Sequence, residues 1–139
     1  MSRFDDGYTG HLFEEETLGK CLGTHRGHMQ WHEAMEVVRK NQPRVKTPVA
    51  SRLEQEVRKQ AGVAVVFYTA VGSTLDLKHS VDAFFEFMGV AVTIDLTMND
   101  DKDACKADLL VVKEEINNLS ALAGRISREL KSKLSRRYA

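Results

Sequence analysis

The sequence contains few of the residues that mark specialised protein classes. Its 139 residues include two cysteines and two prolines. Two cysteines are too few for a disulfide-stapled secreted scaffold, so a reducing compartment is expected. Basic and acidic side chains number 20 each and cancel, so the overall charge does not indicate a nucleic-acid partner. The sequence also has no Gly-rich phosphate loop and no nucleophile elbow.

Long apolar runs are missing as well, and the first ten residues, MSRFDDGYTG, are polar and acidic. We therefore expect a cytoplasmic protein without a membrane role. Its hydrophobic content of 42% and charged content of 29% are typical of a globular protein. At this length we expect one domain, made of an N-terminal extension (1–46), a core (47–112) and a final helix (113–139). Several glycines interrupt any periodicity in residues 1–24, which are expected to be irregular.

The clearest pattern is a β-hairpin over residues 81–98, with its turn at Met88-Gly89. Apolar residues alternate with the others along both arms, which is the signature of two strands around a tight turn. A two-residue turn pairs Phe87 with Val90. A slip of one residue would bury the acidic side chains of the hairpin and expose its phenylalanines, so the pattern itself sets the register.

This register places two carboxylates face to face, because counting back from the turn sets Asp82 opposite Asp95. Directly opposed residues have Cβ atoms about 5 Å apart, and like charges in that position are destabilising. A shared proton or a bound cation would remove the repulsion. The alternative is a solvated polar face, on which both aspartates point into water.

Helices and further strands flank the hairpin. Thr47 is a good N-cap for a helix that ends at Gly62. Residues 63–71 are apolar on both faces and predict a central buried strand. Residues 107–112 predict a further strand, and residues 113–138 predict a long helix with an acidic first turn and a basic end.

The helix after Thr47 carries a third carboxylate. Its apolar stripe consists of Val49, Leu53 and Val57. At 100° per residue, Glu56 falls inside the stripe and Glu54 points away from it. A buried carboxylate costs free energy unless it is paired or binds a cation, so Glu56 is interpreted as a third acidic group facing the sheet. The alternative is an ion pair or a position at the edge of the stripe.

Glu56, Asp82 and Asp95 would together form an oxygen-rich cage of the kind that Mg²⁺ or Mn²⁺ accepts. A divalent ion held there could polarise a phosphoryl oxygen and lower the pKa of a bound water. A nearby lysine would position that water and offset developing negative charge. The sequence therefore predicts a metal-dependent hydrolase that acts on phosphodiesters.

Element order and these three acidic positions make residues 47–112 resemble the PD-(D/E)XK nuclease superfamily, which has the restriction-endonuclease fold. The resemblance implies an α/β (α+β) core of one helix, three strands, a short helix and a fourth strand. It assigns Glu56 as the family's helix glutamate, Asp82 as its second-strand aspartate and Asp95 as its third-strand acid.

In this family the third motif continues, two residues later, to a lysine, and Thr97 occupies that position here. Lys78 is the first candidate replacement, because extending the strand ladder would bring it near the end of the third strand. Lys102 and Lys106 follow that strand and are the other candidates. Asp76, in the link before the hairpin, is a candidate for the edge of the site.

A separate group of possible ligands consists of Cys21, His25, His28 and His32. Residues 28–40 predict a helix that places His28 and His32 on one face, a spacing that suits zinc. The four residues match no familiar zinc signature, so we favour histidines that are partly buried, exposed or lining a groove.

Basic residues near the core suggest contacts with nucleic-acid phosphates. They are Arg44, Lys46, Lys102, Lys106 and Arg128. The predicted function is a magnesium- or manganese-dependent endonuclease acting on nucleic acid, with DNA favoured over RNA. One alternative is a nucleic-acid-binding module that has lost the chemistry. The other is a small regulatory protein that forms a homodimer through its final helix.

Overall fold

The computed structural model describes residues 3–22, 27–98 and 106–138. Within these ranges it contains five α-helices and one four-stranded sheet. The helices are α1 (Arg3–Leu18), α2 (Trp31–Lys40), α3 (Pro48–Ala61), α4 (Thr74–His79) and α5 (Leu119–Tyr138). The strands are β1 (Val66–Thr69), β2 (Ala83–Phe87), β3 (Val90–Thr97) and β4 (Leu109–Val112). No described helix is both long and apolar enough to cross a lipid bilayer.

The strands lie in the order β1-β2-β3-β4. The pairs β1–β2 and β2–β3 are antiparallel, and β4 runs parallel to β3. Helices cover both faces of this mixed sheet. On one face, Leu53 of α3 and Ile126 of α5 share an apolar cluster with Phe85. On the other face, Met35 of α2 packs in a second cluster with Phe84.

The predicted hairpin is confirmed, including its register. Phe87 pairs with Val90, and the ladder continues to Ala83 and Ile94. Gly89 and Met88 both have positive φ, at 76° and 50°, as a type I′ two-residue turn requires. The alternating residues of the hairpin therefore face the two helical layers in turn.

The predicted helix after Thr47 is also confirmed. The Thr47 side chain accepts a hydrogen bond from the backbone N–H of Ala50, and Gly62 ends the helix with a φ of 73°. The prediction of its buried face was wrong, because the face is rotated toward Ala50. Glu54 is buried and only 6% exposed, whereas Glu56 is half-buried.

Other elements differ from the expectation. The irregular structure expected over residues 1–24 is largely α1, whose Leu18 is buried in the core; packing of this kind outweighs the helix-weakening effect of glycine. The strand in residues 63–71 is an edge strand with β2 as its neighbour, not a central one. It is apolar on both faces because a helical layer covers each face.

Two predicted helices begin later than expected. The helix predicted over 28–40 begins at Trp31. The one predicted over 113–138 is a 3₁₀ turn at Lys113–Asn117 followed by α5. The acidic residues expected in the first turn of that helix belong to the 3₁₀ turn, and one of them, Glu115, pairs with Arg125. The short helix expected before the fourth strand falls mostly outside the described residues.

A carboxylate cluster as the candidate functional site

Asp82 and Asp95 come together at the start of β2 and near the end of β3. The Asp82 backbone N–H donates to the carbonyl of Ile94 at 2.9 Å, and its carbonyl accepts from the N–H of Ala70 at 2.7 Å, so Asp82 is tied to both neighbouring strands. Asp82 is 1% exposed and Asp95 is 6% exposed. The alternative of a solvated polar face is therefore wrong.

The third carboxylate of this group is Glu14 of α1. Ligand oxygens of Glu14, Asp82 and Asp95 all lie within 4.8 Å of one another, close enough to hold one metal ion. We call these three residues the inner group. Glu56 belongs to neither of the ligand groups found among the described residues. The structure thus brings Glu14, and not Glu56, together with the two aspartates.

A second group lies beside the first and is more open to solvent. His11, Glu14 and Asp76 also have ligand atoms within 4.8 Å of one another; we call them the outer group. His11 is exposed and its Nε2 lies 3.0 Å from a carboxylate oxygen of Glu15. The Asp76 carboxylate accepts the N–H of Gly72 at 2.8 Å. Because Glu14 belongs to both groups, the acidic side chains form a continuous path from the surface to Asp82.

The surroundings of Asp82 disfavour its ionised form. Burial, followed by the negative charges of Glu14 and Asp76 and a hydrogen bond with Asp76, raises the pKa of Asp82 to about 11. The backbone N–H of Leu96 opposes this shift by donating to Asp82 Oδ2 at 2.7 Å. Burial and the two neighbouring carboxylates therefore favour the protonated form of Asp82 at neutral pH.

The residues present fit a hard divalent cation. The inner group supplies carboxylate oxygens alone, the ligand type that Mg²⁺ and Mn²⁺ prefer. A cation would also neutralise the repulsion that raises the pKa of Asp82. The outer group adds an imidazole, a ligand more typical of transition-metal ions than of Mg²⁺.

The candidate lysines lie in different surroundings. The strand extension expected for Lys78 is wrong, because residues 74–79 form α4, and Lys78 is exposed there. Lys106 is exposed just before β4, and Lys102 lies outside the described residues. Thr97, at the position of the family lysine, is half-buried at the end of β3.

The other basic candidates are not gathered at the carboxylates. Arg44 is exposed, and the Lys46 ammonium lies 3.7 Å from the Glu54 carboxylate. Arg128 is exposed on α5, in the layer on the opposite side of the sheet from the aspartates. Of the basic residues at the end of α5, Arg136 pairs with Glu129.

The ligand set considered for zinc is not assembled among the described residues. The Cys21 thiol is buried and donates to the carbonyl of Asn41 at 3.4 Å. His28 precedes α2, so it does not share a helix face with His32, and both imidazoles are exposed. His25 lies outside the described ranges.

Sequence reasoning missed Glu14 and placed Asp76 only at the edge of the site. Glu14 lies in a run of three glutamates that resembles an ordinary solvated charge run. The spacing of His11 and Glu14, three residues apart on one helix face, was the available signal. This spacing becomes informative only once the segment that forms α1 is recognised as a helix.

Comparison with known proteins gave no match to a family model, to a curated protein or to a solved structure.

Proposed function

We propose that this protein is a metal-dependent nuclease that hydrolyses phosphodiester bonds with a divalent ion held by Glu14, Asp82 and Asp95. The observation that carries the proposal is the meeting of these three carboxylates at a buried point of the sheet. Asp82 is almost fully buried beside the carboxylates of Glu14 and Asp76. Such burial costs stability, and residues that lower stability are typical of functional sites.

The element order adds support. From α3 onward the described elements are a helix, a strand, an antiparallel hairpin and a fourth strand parallel to the third, with α4 inserted before the hairpin. Apart from α4, this is the order on which the nuclease resemblance rests. In the proposal, Glu14 takes the role of the family's helix glutamate, although it comes from α1, outside the residues 47–112 that carry the resemblance. The restriction-endonuclease-like fold itself is part of the proposal.

In this proposal each carboxylate has a separate role in binding the ion. Asp82 and Asp95 fix the ion in the sheet, and Glu14, at the solvent side of the inner group, completes its ligands. Asp82 must release its proton when the cation binds, so ion binding and proton release are coupled. A bound divalent ion would supply Lewis acidity toward a phosphoryl oxygen and an activated water. A lysine would position that water, and Lys78, Lys102 and Lys106 remain the candidates.

The test is cleavage of plasmid DNA, single-stranded DNA and RNA in Mg²⁺ or Mn²⁺. We expect cleavage by the wild-type protein and a loss of at least about 100-fold in Asp82→Asn and Asp95→Asn, because an amide is a much poorer ligand for a hard cation. Glu56→Gln is the matched control and should retain activity, since Glu56 lies outside both ligand groups. Cleavage that survives in both aspartate variants would refute the proposal.

Ion binding can be measured separately from cleavage. Mn²⁺ at 100 times its dissociation constant should stabilise the wild-type fold by about 2.7 kcal/mol. The same titration should leave Asp95→Asn unchanged and Glu56→Gln shifted as in the wild type. Equal stabilisation of all three proteins would place the ion elsewhere.

Thr97 favours a second candidate function, a module that binds nucleic acid on the same fold without hydrolysing it. This function predicts salt-sensitive binding with no turnover in any divalent ion.

Under the nuclease proposal, cleavage assays of alanine variants of Lys78, Lys102 and Lys106 would identify the lysine that replaces the family residue.

A further inference from the structure

A polar cleft lies beside the open half of β3. It has a volume of about 300 Å³ and is bounded by α2 on one side and by the segment before β4 on the other. β4 pairs with β3 from Ile94 onward, so the preceding residues of β3 have no neighbouring strand on that side among the described elements. Trp31, Arg39, Thr93, Lys106 and Lys133 are among its lining residues.

Two of the three cations in this cleft are already neutralised. The Arg39 guanidinium donates to both carboxylate oxygens of Glu86, at 2.9 and 2.5 Å. The Lys133 ammonium lies 2.5 Å from the carboxylate of Asp108 and 2.8 Å from the carbonyl of Ala91. These pairs hold the walls of the cleft in place and leave little net charge of their own.

Lys106 supplies the excess positive charge. It is exposed and forms no ion pair with any residue in the described part of the chain. Trp31 forms part of the opposite wall and is half-buried, with its ring held edge-on against His79 at a centroid distance of 5.6 Å. Proteins bind single-stranded nucleic acid by combining basic groups with aromatic rings on which bases stack. Lys106, which has no ion-pair partner among the described residues, and Trp31 on the opposite wall are groups of these two kinds.

The cleft and the carboxylate cluster lie along the same face of β3. Ala91, Thr93 and Asp95 are alternate residues of β3, so their side chains lie on one face of the strand, about 7 Å apart at each step. Ala91 and Thr93 line the cleft, and Asp95 belongs to the inner group. A chain of phosphates in the cleft would therefore reach the proposed metal site within a few residues of the strand.

We propose that this cleft binds the nucleic-acid strand on which the protein acts, with Lys106 contacting a backbone phosphate and Trp31 stacking on a base. The inference deepens the proposed nuclease function and rests on it for the identity of the ligand. It adds Trp31 to the binding residues and places Lys106, already expected from the sequence to contact phosphate, in the cleft.

The experiment uses the full chain in EDTA, so that no cleavage occurs. A 20-nucleotide single-stranded DNA is titrated in, and binding is followed by the fluorescence of Trp31, the one tryptophan in the sequence, and by the anisotropy of a labelled oligonucleotide. We expect the Trp31 signal and the anisotropy to saturate together. Lys106→Glu should raise the dissociation constant about tenfold and reduce the salt dependence by about one phosphate contact.

Lys59→Glu is the matched control, because Lys59 is an equally exposed lysine at the end of α3, on the other side of the sheet. It should change the dissociation constant less than about twofold. Binding without a change in Trp31 fluorescence, or equal losses in the two variants, would overturn the inference. No binding to single-stranded DNA or RNA would overturn it as well.

The two proposals can fail separately. Binding that changes Trp31 emission and depends on Lys106, without cleavage in any divalent ion, would support the binding role of the cleft. The same result would refute the proposed nuclease function. Metal-dependent cleavage in which Lys106→Ala lowers kcat but leaves binding unchanged would support the nuclease. That result would overturn the binding role of Lys106 and assign it to the chemistry instead.

Discussion

Glu54 shows how a single buried acid can be structural. Its carboxylate accepts a hydrogen bond from the backbone N–H of Phe67 at 2.7 Å, and it lies 3.7 Å from charged groups of both Lys46 and Arg58. Glu54 thus joins α3 to β1. A buried carboxylate with these partners needs no metal ion to explain it.

We predict that Glu54→Ala destabilises the protein by about 1–3 kcal/mol, because it leaves the buried N–H of Phe67 without an acceptor. Glu54→Gln should cost less, since its amide oxygen can accept the same hydrogen bond. Chemical denaturation measures both changes. Glu56→Ala is the control and should cost less than Glu54→Ala; the reverse order would show that the buried face of α3 has been misassigned.

The hairpin turn can be tested at the scale of one element. Met88 is 63% exposed and has a φ of 50°, a conformation that costs most residues free energy but that asparagine adopts readily. We predict that Met88→Asn stabilises the protein by about 0.5–1 kcal/mol, because Asn-Gly is the favoured type I′ sequence. A thermal melt measures the change. Met98→Asn, an exposed methionine without a positive φ, should have little effect, and equal effects would contradict the explanation.

Elements with strong local signals were predicted well, and those defined by their neighbours were not. The hairpin followed from alternation and a Gly turn, and α3 from its Thr47 cap and Gly62 stop. The position of β1 at the sheet edge could not be predicted. A strand that helices cover on both faces is apolar on both faces, whether it lies at the centre of the sheet or at its edge. The buried face of α3 includes Ala50. A prediction based on the stripe of large apolar residues did not count this small residue and therefore placed the face incorrectly.

At the scale of the whole molecule, the carboxylate cluster links stability to pH. Asp82 has a folded-state pKa raised to about 11, against about 3.9 for an unfolded aspartate. Between these values the folded protein binds one more proton at this group, so stability falls as pH rises. The contribution of Asp82 is complete below about pH 4 and is lost progressively toward its folded-state pKa.

We predict that Asp82→Asn makes the metal-free protein more stable than the wild type at neutral pH, and that the difference grows as pH rises. The amide is neutral, can accept from the N–H of Leu96 and can donate to Asp76, as protonated Asp82 does. The expected slope of the difference is up to about 1.4 kcal/mol per pH unit, measured by denaturation in EDTA from pH 5 to pH 9. A difference that does not change with pH would show that Asp82 is ionised in the folded protein.

The sequence by itself determined the hairpin, its register and the meeting of Asp82 and Asp95, because these depend on alternation and turn chemistry within 18 consecutive residues. Tertiary structure alone decided which helix carboxylate joins them. Glu14 lies 68 residues before Asp82 in the chain, and its approach depends on how α1 packs against α3 and β3. Local periodicity can show which face of an element is apolar, but it cannot show what another element brings to that face.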